Sequence, residues 1–188
     1  LLHLTSSELG GTSSPVGADH GIGRRGADFV RRLEARNIFV DLAHAGKRSF
    51  WDAVSVHDPA LPLLVTHTGV SGVHRHWRNL DDDQLRAVAK TGGVVGIMYH
   101  QPFLGGGFFG GGVETIVRHL EHVRDVAGED TPALGSDWDG FILTPRDMPT
   151  CLELPRLVEA MLARNWKHEA IQKALGRNFL RALSAMRG

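Results

Sequence analysis

The fold is decided by two short apolar stretches, IFVDLAH (residues 38–44) and LPLLVTH (residues 61–67), each of which ends on a histidine. Both are rich in aliphatic and β-branched residues, as strands buried on both faces of a sheet usually are. His44 and His67 are 23 positions apart, which leaves room for one helix and a return strand. Parallel strands joined in this way bring their carboxyl ends to one side of a sheet or barrel, so the two imidazoles can converge.

Two convergent imidazoles on strand ends suit Zn²⁺ or a similar transition metal. The alternative for each histidine is a satisfied, partly buried group that caps a loop. The matched positions of His44 and His67 in successive units leave both interpretations open.

The rest of the chain repeats the same unit, because short apolar runs alternate with stretches of helical periodicity. The pattern predicts strands at residues 1–5, 38–44, 61–67, 94–99 and 132–136, and helices at 24–35, 47–56, 82–91, 113–127 and two near the end. This alternation predicts a parallel α/β sheet or barrel. Five strands are too few for a closed eight-stranded barrel, so we expect an open sheet or a part of a barrel, formed by residues 1–188 as one domain.

Composition excludes several classes of function. The chain has 188 residues, with 21 basic and 21 acidic side chains and a formal net charge of +0, so a nonspecific nucleic-acid interface is not expected. No apolar run approaches the roughly 20 residues that span a bilayer. Cys151 is the single cysteine, which excludes an internal disulfide and a Cys-based zinc site.

Two further polar residues follow predicted strands, His3 near the first and Asp137 after the last. Polar side chains at the carboxyl ends of barrel strands form the site in such folds. A carboxylate at this edge could carry a proton between an attacking water and a leaving amine. The nearby Asp139 is followed by Gly140, and this pair is typical of a turn.

Arg78 lies in the loop that follows His67, directly before a helix whose start is indicated by the capping-box pair Asp81 and Gln84. A guanidinium at this place suits capture of a carboxylate through two hydrogen bonds, and a solvated loop arginine is the alternative. His119 and His122 are three positions apart on a predicted helix, where their charged neighbours indicate a solvated face.

Taken together, these motifs resemble the membrane (renal-type) dipeptidase family of zinc peptidases. The residues that carry the resemblance are VDLAH (40–44), VTH (65–67), HWRNL (76–80), GGVVG (92–96), GSDWDG (135–140) and GRNFLR (176–181). Their order and spacing match throughout, so the resemblance covers essentially the whole chain.

The resemblance implies a distorted (β/α)₈ barrel that holds two zinc ions and hydrolyses dipeptides. His44 and His67 would be ligands of one zinc ion, and His3 would contact the substrate near the scissile carbonyl. Arg78 would hold the terminal carboxylate of the dipeptide, while Asp137 would contact its amine and carry the proton. The resemblance implies a small dipeptide as the substrate, and it leaves open whether the protein forms a homodimer.

The family pattern also includes an early His-x-Asp pair and a metal-bridging Glu, and nothing in this chain corresponds to them. We therefore expect a (β/α)₈ TIM-barrel-like fold reduced to about five βα units, with those ligands upstream of Leu1 and at most one zinc ion partly liganded by this chain. A non-catalytic remnant with weak metal binding, or another amidohydrolase-type metal hydrolase, is the alternative. An Ala-, Arg- and Gly-rich composition favours a bacterial source. For a bacterial protein of this kind we expect a cytoplasmic location, with an upstream signal left open.

Overall fold

The structure is a computed structural model that describes residues 2–3, 8–14, 19–106 and 111–188, with the backbone alone for the first two. The strands come in the order predicted, and each is followed by at least one helix in the described residues. Two differences concern helices: a short extra helix precedes the one predicted at 113–127, and the second helix near the end of the chain is interrupted by a kink. The strands and helices are β1 (Leu2–His3), α1 (Gly23–Glu34), β2 (Val40–Asp41), α2 (Lys47–Val56), β3 (Leu64–Thr68), α3 (Asp82–Lys90), β4 (Val94–Ile97), α4 (Gln101–Leu104), α5 (Val113–Ala127), β5 (Pro132–Leu134), α6 (Leu154–Ala163), α7 (His168–Gln172) and α8 (Asn178–Arg187). A 3₁₀ turn, Cys151–Glu153, precedes α6, and a kinked segment, Lys173–Arg177, joins α7 to α8.

The strands form one parallel sheet in the order β1-β2-β3-β4-β5, as the α/β alternation predicts. Strands β2 to β5 all differ from their predicted bounds, and the differences at β2 and β3 concern the two histidines. β2 stops at Asp41, so His44 lies in the loop beyond it, whereas β3 continues through His67 to Thr68. Parallel order with consecutive neighbours still brings both histidines to the carboxyl edge, because each loop leaves its strand on that side.

Side chains alternate between two apolar cores on the two faces of the sheet. One core packs the sheet against α1 to α6, and its strand residues include Val40, Val65, Val95 and Ile97. The other core consists of Phe39, Leu64, Val94 and Ala133 beneath Ala182 and Met186 of α8. Both faces of the strands are therefore buried, which explains their continuous apolar runs.

α8, which packs on one face of the sheet, also contacts its amino end. Arg181 donates hydrogen bonds to the carbonyls of Gly92 and Asp130, at 2.8 Å each. These residues lie two positions before the starts of β4 and β5. These contacts place the closing helix at the end of the sheet opposite to the histidines.

The prediction of a solvated face at His119 and His122 is wrong for His119. The His119 ring is fully buried, its Nδ1 accepts from the Val70 amide at 2.9 Å, and its Nε2 lies 3.2 Å from the Leu104 carbonyl. Burial lowers the pKa of His119 to about 4. His122 is half-buried and contacts the Asp82 carboxylate at 2.7 Å. His119 therefore joins α5 to the loop after β3 and to α4, and His122 joins it to the start of α3.

None of the helices in the described ranges combines the length and the apolar character needed to cross a bilayer. Cys151 is exposed and makes no disulfide.

Candidate active site

The two strand-end histidines meet at the carboxyl edge of the sheet. The Nε2 atoms of His44 and His67 are 2.7 Å apart, and their rings make an angle of 62°. His44 adopts a left-handed backbone conformation with a φ of 69°, and its carbonyl accepts hydrogen bonds from the amide and hydroxyl of Ser13. Such a conformation costs of order 1 kcal/mol and is maintained by the surrounding contacts.

A buried carboxylate that sequence reasoning missed supports this pair. Asp41 is fully buried beneath the histidines, and it accepts hydrogen bonds from the amides of Ala43 and Thr66 at 3.0 Å. The Thr66 hydroxyl donates to Asp41 at 2.6 Å and lies 3.0 Å from Nδ1 of His67. A signal was available in the sequence, because Asp41 and Thr66 are polar residues inside otherwise apolar strands.

Arg78 is buried, with 3% of its surface exposed, so the alternative of a solvated loop arginine is wrong. One of its terminal nitrogens donates to the His67 carbonyl at 2.9 Å. Its backbone carbonyl accepts from the Thr68 hydroxyl at 3.0 Å, and the capping box of Asp81 and Gln84 fixes the start of the helix beyond it. The loop therefore holds the guanidinium beside the histidines.

The residues described around Arg78 leave one of its hydrogen-bond donors without a partner. Burial lowers the pKa of the guanidinium to about 10, and the carboxylates of Asp41 and Asp137 act in the opposite direction. Its Nε is buried and has no hydrogen-bond partner in the described residues. A buried N–H donor without a partner is costly, so this nitrogen is suited to an acceptor supplied by a ligand.

Asp137 lies three residues beyond β5, in a second left-handed conformation with a φ of 63°. Its carbonyl accepts from the Gly140 amide at 2.9 Å, which closes the turn predicted around Asp139. A Cβ on Gly140 would lie 2.3 Å from the Asp137 carboxylate, so a larger residue at position 140 would displace this side chain.

The four candidate groups open onto one cavity of about 250 Å³, whose lining includes His44, His67, Arg78 and Asp137. This is near the lower end of the volumes usual for ligand pockets, which suits a small molecule. The side chain of His3 lies outside the described residues, and β1 places its backbone opposite Asp41.

Sequence reasoning also missed the other wall of the cavity. This aromatic wall consists of Trp77, His100, Phe103 and Phe141. The Phe103 ring lies at its centre, 4.5 Å from His100 and 5.5 Å from Trp77 between ring centroids. His100 follows the apolar run that forms β4, which is the signal that identified His44.

The described residues contain no group of three His, Cys, Asp or Glu side chains close enough to hold a metal ion. The described residues offer the two imidazoles to a cation at this edge, and the Asp137 carboxylate lines the same cavity.

Known proteins are similar to this chain in sequence and in fold. A curated relative from Klebsiella pneumoniae, an uncharacterized protein in the pqqA 5′ region, is 36% identical over 166 residues, which are 87% of this chain and 60% of that protein. The structure of an amidohydrolase from Pseudomonas aeruginosa matches with a TM-score of 0.86 and 25% identity, over 99% of this chain and 63% of that one. A metallopeptidase from Rhodobacter sphaeroides, solved with a phosphinate mimic of the dipeptide L-Ala-D-Ala, matches with a TM-score of 0.81 and 30% identity, over 88% of this chain and 47% of that one.

The chain thus spans less than two thirds of the length of each of these relatives. The model of the membrane dipeptidase family (peptidase family M19) matches residues 5–187, and the chain belongs to this family.

Proposed function

We propose that residues 1–188 form a single partial β/α-barrel domain of a zinc-dependent dipeptidase, which hydrolyses the peptide bond of dipeptides. The observation that carries the proposal is the convergence of two imidazoles, a buried guanidinium and a carboxylate on one cavity. Membership of the membrane dipeptidase family supports peptide-bond hydrolysis as the reaction.

His44 and His67 would hold one zinc ion through their Nε2 atoms. Two nitrogens at about 2.0–2.1 Å from a tetrahedral zinc ion are about 3.3 Å apart, so the two Nε2 atoms, now 2.7 Å apart, would need to separate by about 0.6 Å. The donor set therefore fits two ligand positions, and further ligands would come from outside the described residues. A bound zinc ion supplies Lewis acidity that polarises the scissile carbonyl.

Arg78 would bind the terminal carboxylate of the dipeptide. Its Nε and a terminal nitrogen form a planar fork that matches the two oxygens of a carboxylate. The unpartnered Nε supports this role, because a bound carboxylate would satisfy it. The same charge disfavours a lactone or cyclic amide that has no carboxylate.

Asp137 would accept a hydrogen bond from the substrate's ammonium group and carry a proton from the attacking water to the leaving amine. Its carboxylate shares the cavity with Arg78, so one dipeptide can reach both charges with opposite ends. His3, carried by β1 beside Asp41, would contact the substrate near the scissile carbonyl.

Metal content and substrate selection test the proposal together. The purified protein is assayed for bound zinc and for hydrolysis of unblocked dipeptides, the same dipeptides as terminal amides, and a lactone. We expect cleavage of unblocked dipeptides, poor cleavage of the amides, and loss of turnover in His67→Ala but not in His168→Ala, which alters an exposed histidine on α7. Absence of turnover with zinc bound would support a non-catalytic remnant, and preferred cleavage of the lactone would support a different metal hydrolase. Either result overturns the proposal.

A further inference from the structure

We infer that Asp41 and Thr66 are positioning residues that fix the tautomer of His67, so that its Nε2 lone pair faces His44. The inference concerns the protein without metal, and only its consequence for zinc rests on the proposed function.

The carboxylate of Asp41 is fully buried, and one of its oxygens accepts hydrogen bonds from the amides of Ala43 and Thr66 at 3.0 Å each. The other oxygen accepts from the Thr66 hydroxyl at 2.6 Å, a short distance typical of a charge-assisted bond. An ionised carboxylate only accepts hydrogen bonds, so the single hydroxyl hydrogen of Thr66 is committed to Asp41.

The Thr66 hydroxyl also contacts the ring of His67. The hydroxyl oxygen lies 3.0 Å from Nδ1. Because its hydrogen is already directed at Asp41, this oxygen can only accept, and Nδ1 of His67 must carry the proton. In the neutral imidazole the other nitrogen is then bare, so Nε2 is an acceptor.

The ring of His67 in turn contacts the ring of His44. With Nε2 of His67 bare, the distance of 2.7 Å to Nε2 of His44 indicates a hydrogen bond in which His44 donates. If a cation replaced the proton between the two rings, the Nε2 lone pair of His67 would already be oriented to bind it. This is the role of the oxygen that receives the second N–H of a metal-binding histidine, and its loss typically costs about 10- to 100-fold in metal affinity.

The variant Asp41→Asn distinguishes control of the His67 tautomer by Asp41 and Thr66 from a role in which Asp41 only holds the backbone of the loop. The amide oxygen of asparagine can still accept from the two backbone amides, but its NH₂ would face the Thr66 hydroxyl and donate to it. The hydroxyl hydrogen would then turn to Nδ1 of His67. We expect the tautomer of His67 to invert, with the proton moved to Nε2.

The test is the ¹⁵N chemical shift of the His67 ring nitrogens in the metal-free protein, assigned by comparison with His67→Gln, at a pH where the ring is neutral. The wild type and Thr66→Ser, which keeps the hydroxyl, should show Nδ1–H, and Asp41→Asn should show Nε2–H. Thr66→Val, which keeps the shape without the hydroxyl, should lose the preference. An Nε2–H tautomer in the wild type, or the same tautomer in all four proteins, would overturn the inference.

Zinc affinity, measured by calorimetric titration, provides a second readout. We expect a loss of about 10- to 100-fold in Asp41→Asn and Thr66→Val, and retained affinity in Thr66→Ser. Equal affinity in Thr66→Val and Thr66→Ser would refute the positioning role. A confirmed tautomer in a protein that cleaves no dipeptide would leave the inference standing and refute the proposed function.

Discussion

The Nε2 atoms of His44 and His67 lie 2.7 Å apart, close enough for the two rings to share a proton or a cation. His44 is a loop residue with a left-handed backbone conformation, whereas His67 lies within β3. Two bare nitrogen lone pairs would repel each other at this distance, so one ring must carry a hydrogen or a cation must separate them. We therefore expect added metal to bind at this pair of histidines.

Added zinc should stabilise the folded protein through this pair. Ligand that binds only the folded state adds about 2.7 kcal/mol of stability at a free concentration 100 times the dissociation constant. Thermal unfolding with and without zinc measures the effect. The increase in melting temperature should vanish in His44→Ala and His67→Ala and persist in His168→Ala, whose histidine is exposed. An unchanged increase in His44→Ala would place the zinc elsewhere.

Replacing Arg78 with lysine should weaken selection for a free carboxylate. Lysine keeps the positive charge but lacks the planar fork, so kcat/KM for an unblocked dipeptide should fall by about 10- to 100-fold. Hydrolysis of the corresponding dipeptide amide should change much less. Arg75→Lys alters an exposed arginine of the same loop and should match the wild type for both substrates. Parallel losses for dipeptide and amide would contradict carboxylate binding by Arg78.

The order of elements and the meeting of His44 with His67 could be predicted, because both depend on local apolar runs and on the geometry of parallel strands. The burial of Arg78 could not, since it depends on how one loop folds over the edge. His119 shows a different failure. It lies three positions after Ile116 and four before Val123, on the apolar stripe of α5, but its charged neighbours obscured that spacing.

Acid should destabilise the protein through His119. Burial lowers its pKa to about 4, below the ordinary 6.5, so between these values the unfolded chain takes up a proton that the folded chain does not. The free energy of unfolding should therefore fall as the pH falls through this window, by about 3 kcal/mol when complete. Urea unfolding at several pH values measures the slope.

The matched variant is His119→Asn, which offers an acceptor toward the Val70 amide without titrating in this range. Its stability should be lower at neutral pH and less dependent on pH than that of the wild type. His168→Asn, at an exposed position, should keep the wild-type slope. Equal slopes in the wild type and His119→Asn would show that another group accounts for the acid sensitivity.

Phe141 carries backbone strain without compensating burial. Its φ is 58°, its side chain is fully exposed, and it lies at the rim of the candidate cavity. Because a left-handed conformation disfavours any Cβ, Phe141→Gly should be more stable than Phe141→Ala by about 0.5–1 kcal/mol. Leu152, which is exposed and outside the positive-φ positions, should give the reverse order for the same two substitutions. Chemical unfolding of the four variants decides this, and the same order at both sites would exclude strain at Phe141.

Asn178 joins the closing helix α8 to the amino end of β5 through two buried hydrogen bonds. Its side-chain amide donates to the carbonyls of Glu129 and Pro132, both at 2.9 Å, and only 2% of the residue is exposed. Asn178→Asp would direct a buried carboxylate at two carbonyls and remove both donors, so we expect a loss of about 3 kcal/mol in the free energy of unfolding at neutral pH. The loss should shrink in acid, because a protonated aspartate regains one donor.

The control is Asn165→Asp, at an exposed position that also has a positive φ, which should change stability by less than about 0.5 kcal/mol. Similar losses in both variants would mean that the Asn178 bonds do not hold the helix to the sheet.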